Sequence, residues 1–148
     1  MTSYAPEFLC RRLVENSRDA IIFADQDGLI RLWNKGAEDI FGFPAAEVLG
    51  RSLDLIIPDN LKARHNEGYR RVMAEGSSKY ARDLLAVPAL RRDGSRISVE
   101  FTIIPVKGEE GGMLGIGAII REVTARWQRE KEMRARLAAL EAQVQQGK

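Results

Sequence analysis

Apolar residues recur along the chain in two periods, and the switches between them divide it into elements. Residues 6–17 set Phe8, Leu9, Leu13 and Val14 among Arg11, Arg12 and Glu15, the spacing of a short amphipathic helix ending near Asn16-Ser17. Two apolar runs follow, Ala20-Ile21-Ile22-Phe23-Ala24 and Leu29-Ile30-Arg31-Leu32-Trp33, separated by Asp25-Gln26-Asp27-Gly28. The Asp-Gly pair supplies turn chemistry, so these runs read as a hairpin. Asn34 stands where the second strand stops and can accept backbone N–H groups to cap a helix from Lys35 to Phe41, with Gly42 placed to end it. From Pro44 to Pro58 only short helical pieces and turns fit, offering Leu49, Leu53, Leu55, Ile56 and Ile57 to a core. Asp59 or Asn60 is a candidate cap for a longer helix to about Ala74, which Gly76 terminates.

Beyond Ser77-Ser78 the period changes to two. Tyr80 to Leu90 reads as a strand, Arg91-Arg92-Asp93-Gly94 as a turn, and Arg96 to Val106 as a second strand. In that second strand Ile97, Val99, Phe101 and Ile103 alternate with Ser98, Glu100 and Thr102, as on a half-buried strand. Lys107 to Gly112 makes the next turn and Met113 to Arg121 the last strand. The pattern is therefore α+β, with five strands, two before the helices and three after. From Thr124 to about Gln146 there is no Gly or Pro, and strong helix formers dominate, which predicts one helix of roughly 22 residues and about 33 Å. Met133, Leu137, Leu140 and Val144 fall at heptad spacing over about two heptads, with Arg136 and Glu141 at flanking positions that face each other in a parallel pair. A short coiled coil between two copies is expected, because a polar-backed helix has nothing else to bury Leu137 and Leu140; the alternative is a helix whose apolar stripe folds back on its own sheet. Val123 and Trp127 are expected to pack the base of this helix on the sheet.

Composition narrows the function. A chain of 148 residues, 45% hydrophobic and 30% charged, accommodates one domain and a segment to spare. With 23 Lys+Arg against 21 Asp+Glu it lacks the footprint of a general nucleic-acid binder. Seven basic and four acidic residues lie between Arg121 and Lys148, so a mildly basic arm follows a near-neutral core. The single Cys10 permits no internal disulfide or CxxC motif, and it reads as an ordinary buried or half-buried thiol. No signal peptide is visible, and no apolar run approaches the roughly 18 to 20 residues that span a bilayer. A cytoplasmic location is expected unless the chain was cut from a longer membrane-anchored one.

Four segments in order resemble the PAS domain family over roughly residues 6–124. Asp19 to Asp25 with Asp27-Gly28 is similar to the family's first hairpin. Trp33 to Phe43 contains its N-x-x-A-x-x-x-F-G stretch at Asn34, Ala37, Phe41 and Gly42. Arg92-Asp93-Gly94-Ser95 resembles its later hairpin turn, and Ile119 to Thr124 its closing strand with a D/E-x-T exit. The resemblance implies a five-stranded antiparallel sheet of order 2-1-5-4-3, with helices on one face enclosing a pocket. It divides the chain into a flanking helix (1–17), a sensory domain (18–124) and a C-terminal helix (125–148). It also implies signal transduction, in which a ligand, light or redox state is passed to a downstream signalling protein through flanking helices.

The helix after Asn60 carries the candidate chemistry. At about 100° per residue Leu61, His65, Gly68 and Val72 share one face, with Lys62, Glu67, Arg70 and Glu75 elsewhere. The stretch Arg64 to Arg71 is similar to the proximal helix of oxygen-sensing heme PAS domains, whose iron is held by a histidine at the place of His65. By that resemblance His65 is the candidate metal ligand for heme b. Leu61, Gly68, Val72, Leu85, Val99, Phe101 and Ile103 line the cofactor site, with Val99, Phe101 and Ile103 as the distal wall. A neutral imidazole suits heme iron. Two positions depart from the heme pattern: Leu85 stands where those sensors carry a ligand-contacting arginine, and Lys79 is only a partial substitute as a propionate contact. A different small apolar ligand, or a packed core with His65 as an ordinary hydrogen-bonded residue, are the alternatives. Covalent flavin chemistry is excluded, since residues 59–76 contain no cysteine and Cys10 lies in another helix. Noncovalent FAD needs no residue that is missing.

No nucleophile with its base, Walker loop or HExxH motif is present, so no enzyme is expected. Gly108 to Gly117 precedes a strand and cannot present helical N–H groups to phosphate; it reads as a turn with close backbone packing. Arg70-Arg71 and Arg91-Arg92 read as solvated faces or a turn rim. Two functions remain: a ligand-responsive sensor module, and a constitutive dimerisation or docking scaffold with a filled core. Both imply a homodimer through flanking helices, without nucleic acid or membrane.

Overall fold

Asn34, the one buried polar residue in the described core, shows how the domain is assembled. It follows the hairpin of β1 (Ala20–Asp25) and β2 (Ile30–Trp33) and caps α2 (Lys35–Phe41), its Oδ1 accepting Ala37 N–H at 2.9 Å. The same oxygen accepts Ile21 N–H at 2.9 Å. Its Nδ2 donates to the Val14 carbonyl at 2.7 Å, at the end of α1 (Pro6–Asn16), and to the Asp19 carbonyl at 3.0 Å. One amide therefore joins α1, β1 and α2. The hairpin turn is organised by Asp25, whose carboxylate accepts Asp27 and Leu29 N–H, with Gly28 at φ 76°. Gly42, at φ 81°, closes α2.

This computed structural model describes residues 4–77 and 83–147. After α2 come α3 (Ala45–Val48), two 3₁₀ turns (Leu53–Ile56 and Asp59–Leu61), and α4 (Lys62–Glu75). Then follow β3 (Leu85–Leu90), β4 (Arg96–Lys107), β5 (Met113–Glu122) and α5 (Thr124–Gln146). The strands form one antiparallel sheet of order β2-β1-β5-β4-β3, as the motif order implied. Its helix-bearing face buries Ala20, Ile22, Ile30 and Trp33 with Ile97, Val99 and Ile120 against Ala37, Ile40, Phe41, Val48 and Ile56. Trp33 donates Nε1–H to the Phe43 carbonyl, so its burial leaves no polar atom unpaired.

Several expectations are corrected. Neither Asp59 nor Asn60 caps α4: a 3₁₀ turn intervenes, and Leu61 is the cap residue with no side-chain hydrogen bond. Asp59 instead pairs with Lys62 at 2.7 Å. Strand β3 begins at Leu85, where it meets Phe101 of β4; the predicted start at Tyr80, and Lys79, lie outside the described residues. Cys10 is exposed, because α1 buries none of its residues and hangs on the domain by its C-terminal end. At the base of α5 Val123 is buried, but Trp127 stays 40% exposed with the Lys131 ammonium over its ring. The apolar stripe of α5 does not fold back on the sheet: Met133, Leu137, Leu140 and Val144 are all exposed.

Candidate functional site

The residues flanking α4 touch the two ends of β4. At one end Arg96 Nη2 donates to Asn60 Oδ1 at 3.2 Å; at the other, Gly76 lies against the Lys107 side chain. Yet α4 buries no residue. Its tether to β1 is Tyr69, whose hydroxyl lies 2.8 Å from the Ala24 carbonyl oxygen and 2.6 Å from that of Asp25. Burial pushes the Tyr69 phenol up to about 12, with the Ile116 N–H acting in the opposite sense and the Asp25 carboxylate adding to the rise. At Asp25 burial also disfavours charge, but Arg31 Nε–H and the Leu29 and Asp27 N–H groups outweigh it and hold the carboxyl below its ordinary range.

The helix-bearing face of the sheet is covered unevenly. Cross-strand register aligns Leu85, Phe101, Ile120 and Ala20 in one row, and Ile103, Ala118, Ile22 and Trp33 in the next. In both rows the β1 and β2 members are buried, while Leu85, Phe101, Ile103 and Ala118 are only half-buried. Val87, on the same face of β3, is 40% exposed. Large apolar side chains on the inner face of a small domain ordinarily lose nearly all contact with water. Phe101 and Ala118 still pack against the edge of the core, so this stretch is its half-covered margin.

The predicted site residues fall into two groups, one on and just before α4 and one on β3 and β4. Leu61, His65, Gly68 and Val72 are half-buried along α4, and a Cβ built on Gly68 meets no atom within 4 Å, so this glycine does leave space. Phe101 and Ile103 share the inner face of β4, and Leu85 pairs with Phe101. Val99 departs: at 3% exposure it belongs to the packed core, because its end of the sheet is covered by the short helices. His65 Nδ1 lies 3.3 Å from Asn66 Oδ1, its ring 6.1 Å from that of Tyr69, and Nε2 makes no hydrogen bond among the described residues. Two open clefts of about 430 and 440 Å³ lie elsewhere, one beside α1 at Leu13 and Ile21, the other between Met73 of α4 and Met113. Among the described residues no cluster of three His, Cys, Asp or Glu side chains suits a metal ion, and no helix is long and apolar enough to cross a membrane.

Sequence reasoning missed the polar clasp between sheet and flanking helices. Val123 N–H donates to the Ser98 carbonyl, Ser98 N–H to Thr124 Oγ1 at 3.0 Å, and Arg126 pairs with Glu100. Arg121 forms a two-pronged pair with Asp19, both contacts 3.1 Å. Glu100 and Arg121 are cross-strand partners, so the two ion pairs start from neighbouring positions on β4 and β5. Their outward positions between buried neighbours were readable; the pairing needed the register.

Comparison with known proteins agrees with this architecture. Residues 14–128 match the PAS fold family, and the chain belongs to that family. An uncharacterized protein of Azorhizobium caulinodans is 37% identical over 78% of this chain and 16% of its own length. The oxygen sensor protein DosP of Escherichia coli is 24% identical over 87% of this chain and 16% of its own. The sensor protein FixL of Bradyrhizobium diazoefficiens is 25% identical over 90% and 25%. The chain thus spans a quarter or less of these relatives. Among solved structures, a PAS domain from Colwellia psychrerythraea superposes with TM-score 0.71 at 21% identity, covering 81% of this chain and 98% of that one.

Proposed function

We propose that this PAS domain is a sensory module that takes a small ligand or cofactor between α4 and the open stretch of β3 and β4, and relays its state through β4 to α5. The observation that carries this reading is the half-buried apolar stretch of Leu85, Phe101, Ile103 and Ala118 on the inner face, together with a helix, α4, that buries nothing and whose His65 Nε2 makes no hydrogen bond among the described residues. β4 is suited to the relay because Phe101 and Ile103 lie on its inner, helix-bearing face, whereas Ser98 and Glu100 of the same strand hold the first turn of α5. A ligand that favours one position of β4 biases α5 by its differential affinity for the two positions. Self-association through the flanking helices is the proposed output, to be read by a downstream signalling protein.

Heme is the cofactor the donor set fits. His65 on α4 would hold it by Nε2, with Leu61, Val72, Phe101 and Ile103 as apolar walls and the bare Gly68 leaving room for the ring. When bound it supplies an iron centre that takes diatomic gases. Relatives that carry the names of an oxygen sensor and a sensor protein support this choice. Leu85 brings no charge to the site, so the chain's own contribution on that side is apolar. The test is titration of the purified protein with hemin. A stoichiometric Soret band that moves with CO in wild type and is lost in His65→Ala is expected; no band, or the same band in His65→Ala, overturns the heme assignment.

A further inference from the structure

Because α4 buries no residue, its position depends on a few polar contacts. Before the helix, Arg96 donates to Asn60 Oδ1 at 3.2 Å; after it, Gly76 lies against the Lys107 side chain. Asn60, Arg96 and Lys107 are all exposed, so water competes at both ends. Along the helix Lys62 pairs with Asp59, His65 with Asn66 and Arg71 with Glu67, contacts that stay within about one turn and say nothing of the sheet. Tyr69 is the one α4 side chain that, among the described residues, hydrogen-bonds a strand. Its hydroxyl lies 2.8 Å from the Ala24 carbonyl oxygen and 2.6 Å from that of Asp25, with the Ile116 N–H beside it. Ala24 and Ile116 are cross-strand partners on β1 and β5, and both are buried. At this rung, unlike at the helix ends, water is a poor substitute.

We infer that Tyr69 is the positioning residue of the proposed ligand site: its hydroxyl registers α4 on the β1–β5 rung and thereby sets where the His65 imidazole stands. This rests on the reading of α4 as the ligand-bearing helix and adds what fixes that helix in place. Residues four apart are neighbours on a helix, and the His65 and Tyr69 rings lie 6.1 Å apart. His65 has no comparable anchor of its own. Its Nδ1 lies 3.3 Å from Asn66 Oδ1, a long contact to the next residue of the same helix, which cannot place the ring relative to the sheet. Packing does not replace the hydroxyl either, since a Cβ on Gly68, beside Tyr69, meets no atom within 4 Å. The hydroxyl has one proton and serves one carbonyl at a time, so α4 is held by a single bond that a phenylalanine would remove.

The experiment compares wild type with Tyr69→Phe, first without ligand and then with hemin. His65 is the only histidine in the chain, so its ring signals in the NMR spectrum are unambiguous. Tyr69→Phe keeps the aromatic neighbour and removes only the hydroxyl, and preserved amide signals from the sheet confirm that it folds. The expected result without ligand is a shift or broadening of the His65 ring signals in Tyr69→Phe. With hemin, the iron–histidine stretching band of the ferrous complex should be single in wild type and shifted or broadened in Tyr69→Phe, with hemin lost to apomyoglobin at least tenfold faster. His65 signals that superpose in the two ligand-free proteins overturn the positioning role, whatever hemin does. Moved signals with an unchanged iron–histidine band and equal hemin loss also overturn it, leaving Tyr69 a support of the helix alone. A wild type that takes no hemin overturns the heme assignment only, and the ligand-free signals then decide the role of Tyr69.

Discussion

Replacing Asn34 by alanine should cost far more than its size suggests. The wild-type amide satisfies two N–H donors, Ala37 and Ile21, and two carbonyls, Val14 and Asp19, in a residue only 6% exposed. Loss of the α2 cap alone costs about 1 kcal/mol. Ala37 is fully buried, so water cannot replace the bond to its N–H, and the stranded partners add about 1–3 kcal/mol more. The total is about 3 kcal/mol, or a fall in Tm of roughly 6–12 °C for a chain of this length. Urea denaturation followed by tryptophan fluorescence measures it, since Trp33 is the buried neighbour. Asn34→Asp separates the roles: it keeps both acceptor bonds but loses both donations, so α2 should stay capped while α1 becomes protease-sensitive. A loss below about 1 kcal/mol in Asn34→Ala, with an unchanged m-value, would refute the joining role assigned to this residue.

Three further outcomes are expected. The raised Tyr69 phenol predicts stability that is complete below pH 10 and is lost as pH rises from 10 through about 12, because the unfolded state releases its proton first; Tyr69→Phe should remove that part of the alkaline loss, seen as the difference between the two variants' stabilities across that window. Gly115→Ala should be severely destabilising, since its Cβ would collide with the Ala24 carbonyl oxygen and lie 2.7 Å from Phe23 Cζ, whereas Gly117→Ala meets only ordinary contacts at 3.7 Å or more; parallel thermal melts decide it. Truncation after Trp127 should weaken self-association without lowering the Tm of the domain, and sedimentation of an unchanged dimer would move the interface to the sheet or to α1.

Local rules carried most of the fold. The Asp-Gly turn, the Asn34 cap, the glycines at 42 and 76 and the alternation from Ile97 to Ile103 each act over a few residues, so their consequences are readable from spacing. What escaped depends on distant strands. Nothing near Cys10 says that α1 buries no residue, and periodicity does not distinguish Val99, covered by the short helices, from Phe101, two residues on and half-buried. Along α4 helical spacing grouped Leu61, His65, Gly68 and Val72, and the four do share intermediate burial. The sheet was less legible, because filling there depends on which helix lies above each row. Gly115 and Gly117 look equivalent in sequence; only the approach of Ala24 and Phe23 separates them.

The central claim is the proposal that the domain takes a ligand against α4, beside Gly68. Gly68→Leu tests it directly. No atom lies within 4 Å of the added Cβ, and leucine favours a helix over glycine by nearly 1 kcal/mol, so the variant should be at least as stable as wild type. Native mass spectrometry after exposure of both proteins to hemin should show a one-to-one complex for wild type and little or none for Gly68→Leu. Equal loading of the two, or no loading of either by hemin or by any small molecule extractable from the purified protein, would contradict the account.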